Sequence, residues 1–169
     1  MSRIIVHTGE GRGKTTAAVG TALRMLGHGG RVSLIHFIKG RESGEAAALR
    51  RLGATVHVCG LGFTRSNDND ADRSHAEAAA AGMQLARAAL AAGVDLLVLD
   101  EICGAMQAGL VAEQDLQALL AAAEDGQTVI CTGRYASEAL MARADTVSEI
   151  HNHKHALAAG IPAQAGVEL

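Results

Sequence analysis

Eight consecutive residues, Gly9-Glu10-Gly11-Arg12-Gly13-Lys14-Thr15-Thr16, have the types and spacing needed to hold a polyphosphate. The glycines let the backbone curl until successive N–H groups face one anion; Lys14 adds a mobile positive charge and Thr15 a hydroxyl suited to Mg²⁺ or Mn²⁺. The usual form of such a loop is G-x-x-x-x-G-K-[ST]. Here the residue five before Gly13 is Thr8, so the loop is one residue tighter. A second group, Asp100-Glu101, ends an apolar run with two carboxylates, one able to bind a hard dication directly and the other through water or a hydrogen bond. Lys39 and Arg134 each follow an apolar run and are candidate phosphate contacts. Taken singly, these features have simpler readings: a glycine-rich connecting turn, acids at a helix start, a solvated lysine. Together they point to a Mg-nucleotide site.

The elements that must position these groups alternate along the chain. Ile4 to His7 reads as a central strand covered on both faces, and after the loop Val19, Leu23 and Leu26 mark one face of a helix closed by Gly27, Gly29 and Gly30. Strands follow at 31–37, 54–58, 94–101, 127–131 and 146–150, with helices over 45–52, 71–92, 116–123 and 137–143 between them. Segment 59–68 has no periodicity and reads as a loop at the same sheet edge; its Phe63 either packs beneath the loop or turns a flat face to a ligand. This pattern predicts α/β architecture, with a mostly parallel sheet, helices on both faces and right-handed crossovers, in one domain spanning residues 1–169. In open parallel sheets the carboxyl ends of the strands are where ligands bind, and every candidate residue above falls there.

Composition removes several classes of function. Fifteen basic against 18 acidic residues leave a formal charge of −3, which gives no general footprint for nucleic acid or an anionic membrane. With Phe37, Phe63 and Tyr135 the only aromatic residues, there is no stacking platform for single strands. Cys59, Cys103 and Cys131 are odd in number and lack C-x-x-C spacing, which fits reduced thiols in a soluble, cytoplasmic protein. His151, His153 and His155 recur with period two, which on a strand would share a face. Lacking a partner acid at a defined spacing, they read as surface or ligand-loop histidines rather than a metal site.

Several separated blocks occur in the order found in one known family. These are Thr8 to Ala18, Phe37-Ile38-Lys39-Gly40, Gly62-Phe63-Thr64, Leu99-Asp100-Glu101, Thr132-Gly133-Arg134, Ala144 to Glu149, Lys154-His155-Ala156 and Gly160-Ile161-x-Ala163-Gln164-x-Gly166. In them the chain resembles the P-loop type ATP:corrinoid adenosyltransferases. The resemblance implies a P-loop NTPase (RecA-like) fold. It also implies transfer of the 5′-deoxyadenosyl group of ATP to the Co(I) of a reduced corrinoid, such as cob(I)alamin or cob(I)yrinic acid a,c-diamide. Triphosphate would be released, in adenosylcobalamin synthesis or salvage. By carry-over, residues Gly9 to Thr16 hold the triphosphate, Thr15 and Glu101 hold Mg²⁺, for which the residues themselves add Asp100 as a candidate, and Phe63 borders the corrin ring. A flavoprotein reductant and a homodimer are implied in the same way. Two departures stand out. Arg65 occupies the place of a family Trp, where it is a candidate contact to a corrin side chain, and the sequence begins almost at the first strand, where longer relatives carry a segment that covers the partner's active site. A phosphoryl-transferring P-loop enzyme and a non-catalytic carrier are the rival readings.

Overall fold

The computed structural model describes residues 1–62 and 69–167. Its strands are β1 (Arg3–Thr8), β2 (Val32–His36), β3 (Thr55–Val58), β4 (Leu96–Asp100), β5 (Thr128–Thr132) and β6 (Thr146–Glu149). The helices are α1 (Lys14–Gly27), α2 (Gly44–Arg51), α3 (Asn69–Ala91), α4 (Ile102–Gln107), α5 (Glu113–Ala121) and α6 (Glu138–Arg143), with a 3₁₀ turn at Leu157–Ala159. All strand pairs are parallel, in the order β3-β2-β4-β5-β1-β6. The carboxyl ends of all six strands therefore lie along one edge. The sheet belongs to the P-loop NTPase-like α/β architecture expected.

Two apolar layers sandwich this sheet. Leu34, Val56, Leu96, Val98 and Ile130 pack against Ala18 and Ala22 of α1 and Ala46 and Leu49 of α2. On the other face, Ile35, Leu97, Leu99 and Val129 meet Met83 and Leu90 of α3, Leu116 and Leu120 of α5 and Leu140 of α6. The chain moves from β1 toward β3 over the first face and back toward β6 over the second, the combination that crossovers of a single hand produce.

Several expectations need correcting. β1 is next to the edge rather than central, and its burial alternates, with Ile5 and His7 only half-buried. The buried stripe of α1 is Ala18 and Ala22, while Leu23 points to solvent, because a helix laid this close to a sheet needs small side chains at the contact. Helix α4 was not anticipated, and α5 starts three residues before the expected Leu116. His151, His153 and His155 lie beyond β6, off any strand, and among the described residues no group of three or more His, Cys, Asp and Glu side chains is placed to hold a metal ion.

Candidate active site at the carboxyl edge of the sheet

The loop between β1 and α1 is shaped by its glycines in two different ways. Gly13, at φ +122°, turns the chain into the first helical residue, and the first-turn amides of α1 have no intrahelical acceptor. They are the donors available to an anion. Gly9 and Gly11 are there because backbone lies against them: a Cβ on either would sit 2.5 Å from the Ile150 carbonyl oxygen. The Gly11 N–H donates to that same oxygen at 2.7 Å, and the Arg12 N–H donates to Asn152 Oδ1 at 3.0 Å. The Arg12 guanidinium donates to the Val167 carbonyl and Tyr135 Oη to Glu10 Oε1. The first half of the loop is thus tied to the segment after β6, and the second half is left facing the sheet edge.

Lys14 is 7% exposed, and its Nζ donates to the carbonyls of Gly9 and Gly11, both at 2.7 Å. Burial lowers its pKa, opposed by the charges of Glu101 and Asp100. Asp100, at the end of β4, is fully buried. Its Oδ1 accepts from Thr15 Oγ1 at 2.7 Å and Thr132 Oγ1 at 2.8 Å, and its Oδ2 from His36 Nδ1 at 2.8 Å, with Lys39 Nζ 3.5 Å away. Burial alone would raise this carboxyl, but the His36 bond and the nearby Lys39 charge outweigh it and hold the group at about 2. The sign follows directly: a pKa below the ordinary 3.8 stabilises the fold above pH ~4, and that contribution is lost as pH falls through 2. It amounts to about 2 kcal/mol. Urea unfolding between pH 5 and pH 2 should show this loss in the wild type and its absence in Asp100→Asn.

Glu101 follows in the left-handed conformation, φ +59°, a strained state for a residue with a Cβ. Its N–H donates to Thr132 Oγ1 at 2.9 Å. Burial first, then the charge of Asp100, raises its carboxyl, while Lys14, Lys39 and Arg134 pull it down. Lys39 also donates to Glu45 Oε1 at 2.9 Å. Arg134 is exposed just beyond β5, near enough for its charge to act on Lys14 and Glu101. The fold therefore brings Lys14, Thr15, Lys39, Asp100, Glu101 and Arg134 to one locality. Thr16 lies exposed in the first turn of α1. Phe63 and Arg65 lie outside the described residues. Sequence reasoning missed His36 and Thr132; the only signal was a polar residue at the end of an otherwise apolar run. Shape is a poor guide here, since a concavity of about 490 Å³ lies at the opposite sheet edge, around Arg31, Thr55 and Val94.

The family described as ATP:corrinoid adenosyltransferase BtuR/CobO/CobP matches residues 1–169 of this chain. The chain belongs to that family. It is 42% identical over 168 residues to the corrinoid adenosyltransferase of Pseudomonas aeruginosa, covering 98% of this chain and 82% of the relative. It is 40% identical to corrinoid adenosyltransferase CobA of Salmonella typhimurium and 39% identical to the corrinoid adenosyltransferase of Escherichia coli K12, in each case covering 98% of this chain and 84% of the relative. Membership makes the protein a transferase, an ATP:corrinoid adenosyltransferase, with ATP and a corrinoid as its substrates. For an adenosyltransferase, the arrangement of a buried lysine, helix amides and clustered cations is suited to holding a departing polyphosphate, because charge stabilisation is strongest where water is excluded.

Proposed function

We propose that this adenosyltransferase binds ATP with its triphosphate over the loop Gly9 to Thr16 and aligns C5′ with the cobalt of a reduced corrinoid. The Co(I) electron pair forms the Co–C5′ bond, the C5′–O bond breaks, and its electron pair leaves with triphosphate. Co(I) is a strong nucleophile, so no general base is needed. What the protein must supply is alignment and stabilisation of the leaving group. Lys14, the first-turn amides of α1 and Arg134 meet the growing negative charge; Lys39, held by Glu45 and Asp100, adds positive charge behind them. Phe63 and Arg65 are proposed to border the corrin. The observation that carries this reading is the whole-chain family match, combined with a buried Lys14 and a Thr15–Asp100 bond beside the same loop.

The oxygen donors here fit Mg²⁺. Thr15 gives its hydroxyl proton to Asp100, which leaves its lone pairs for a cation, and Glu101 offers a carboxylate beside it. Asp100 already accepts from three side chains, so its fitting role is to orient Thr15 rather than to bind. When bound, Mg²⁺ would neutralise charge on the triphosphate oxygens. Thr15→Val, which keeps the shape and loses the oxygen, is expected to weaken Mg²⁺-dependent ATP binding about 10–100-fold, with Thr15→Ser near wild type. Calorimetric titration with and without Mg²⁺ checks this.

A flavoprotein electron donor, a homodimer and a cytoplasmic location complete the proposal. Co(I) requires a low-potential electron. Leu157, Ile161, Val167 and Val147 are exposed apolar side chains along β6 and beyond it, as a subunit contact would use. Free Cys59, Cys103 and Cys131 suit a reducing compartment. Among the described residues no helix is long and apolar enough to cross a membrane. The deciding experiment mixes the protein with Mg-ATP and chemically reduced cob(I)alamin in the dark. A photolabile adenosylated corrinoid with one triphosphate per turnover supports the reading. Phosphate or ADP with unchanged corrinoid overturns it.

A further inference from the structure

β2 ends in a polar side chain where an apolar one would pack without penalty. All five of its residues are buried, and His36 is completely inaccessible. Its Nε2 has no hydrogen-bond partner among the described residues, an arrangement that is unfavourable in a protein interior. Its Nδ1 makes the shortest contact on Asp100 Oδ2, 2.8 Å against 3.5 Å for Lys39, whose ammonium is shared with Glu45. With Asp100 ionised, the proton of that bond sits on Nδ1. The backbone around the ring is held from both sides. His36 is in register with Asp100 across β2 and β4, the Phe37 N–H donates to the Asp100 carbonyl, and the Cys59 and Gly60 amides donate to the His36 carbonyl. A planar donor on so fixed a frame sets the plane of the carboxylate it bonds. The other oxygen, Oδ1, then points at Thr15 and Thr132.

We infer that His36 is a positioning residue for the cation that accompanies ATP: through Asp100 it fixes the direction in which the Thr15 hydroxyl presents its lone pairs. The inference rests on the reading of Thr15 as the Mg²⁺-binding hydroxyl. It predicts an effect on metal-assisted binding and none on nucleotide binding without metal, because the His36 side chain bonds to Asp100 and reaches the loop through the Thr15 hydroxyl. Partners behind metal ligands characteristically change affinity about 10–100-fold when removed.

The test is calorimetric titration of ATP, with no corrinoid present, in Mg²⁺ and in EDTA; the quantity read is the ratio of the two Kd values. Wild type is expected to bind more tightly with Mg²⁺. His36→Leu, similar in volume and without a donor, is expected to lose about tenfold of that ratio with its EDTA value unchanged. His36→Asn, whose amide nitrogen reaches the place of Nδ1, should recover most of it. A His36→Leu ratio equal to wild type overturns the inference while leaving the Mg²⁺ reading standing; a wild-type ratio of one overturns both. Should His36→Leu fail to fold, proton NMR of the wild type supplies the second readout. The far-downfield Nδ1–H resonance is expected to move on adding Mg²⁺ with ATP and not with ATP alone, and a resonance equally indifferent to both overturns the inference.

Discussion

Lys14→Ala is expected to lower kcat for triphosphate release by about 10²–10³-fold while leaving the protein folded. The ammonium is buried and paired with two loop carbonyls, those of Gly9 and Gly11. It is therefore already desolvated and held at the loop proposed to carry the phosphates. In the proposed complex, bound triphosphate would replace those carbonyls as its partner. Negative charge on the leaving group increases as the C5′–O bond breaks, and a fixed cation in a water-poor site stabilises the later state more than the earlier one. The loss should fall on kcat more than on KM. Single-turnover measurement of the corrinoid spectrum, with circular dichroism to show that the variant is folded, reads both. A kcat within threefold of wild type would remove Lys14 from the chemistry.

Gly11→Ala is expected to be as damaging for a steric reason. The new Cβ would lie 2.5 Å from the Ile150 oxygen, 2.6 Å from the Ile150 carbonyl carbon and 2.8 Å from the His151 nitrogen. All three are backbone atoms, so no rotamer change relieves the contact. Either the loop or the segment after β6 must shift, which breaks the Gly11–Ile150 bond and costs about 1–3 kcal/mol. Because the same movement displaces the amides proposed to bind the triphosphate, ATP affinity should fall at least about tenfold, as misplaced donors do. Gly20→Ala makes the matching control. It lies within α1, an added Cβ there meets nothing within 4 Å, and alanine favours the helix by up to about 1 kcal/mol. Thermal unfolding of the two variants should move in opposite directions, and ATP affinity should fall in Gly11→Ala alone. A normal ATP affinity in Gly11→Ala would refute this account of the loop.

Much of this site could be read in the sequence because it is built from local signals. A glycine-rich turn after an apolar run, Lys14-Thr15 at a helix start and acids closing Leu96–Leu99 each identify themselves within a few residues. Parallel pairing then gathers Lys39, Glu101 and Arg134 at one edge without any long-range information beyond the alternation of strands and helices. What escaped was non-local or chemically quiet. The position of β1 beside an edge depends on the order of strands, which no single segment encodes. The contact face of α1 is made of alanines, which a search for bulky apolar residues passes over. Six residues of α4 are too few to show a helical period. The wall behind Gly9 and Gly11 is a backbone carbonyl, which any residue at position 150 would supply. His36 had no spacing partner to mark it, since Asp100 lies 64 residues away.

The pairing of β1 also fixes a temporal order. Its two neighbours are β5 and β6, formed by Thr128–Thr132 and Thr146–Glu149, and the loop that follows it leans on Ile150 and Asn152. On the ribosome the nucleotide loop is thus made well before Ile150 and Asn152, the residues that back its first half. β2, β3 and β4 can pair among themselves well before that. A chain halted after β5 holds a sheet that lacks β6 and a loop without its backing at Ile150 and Asn152, so the support behind the loop is added only after β6 has been made.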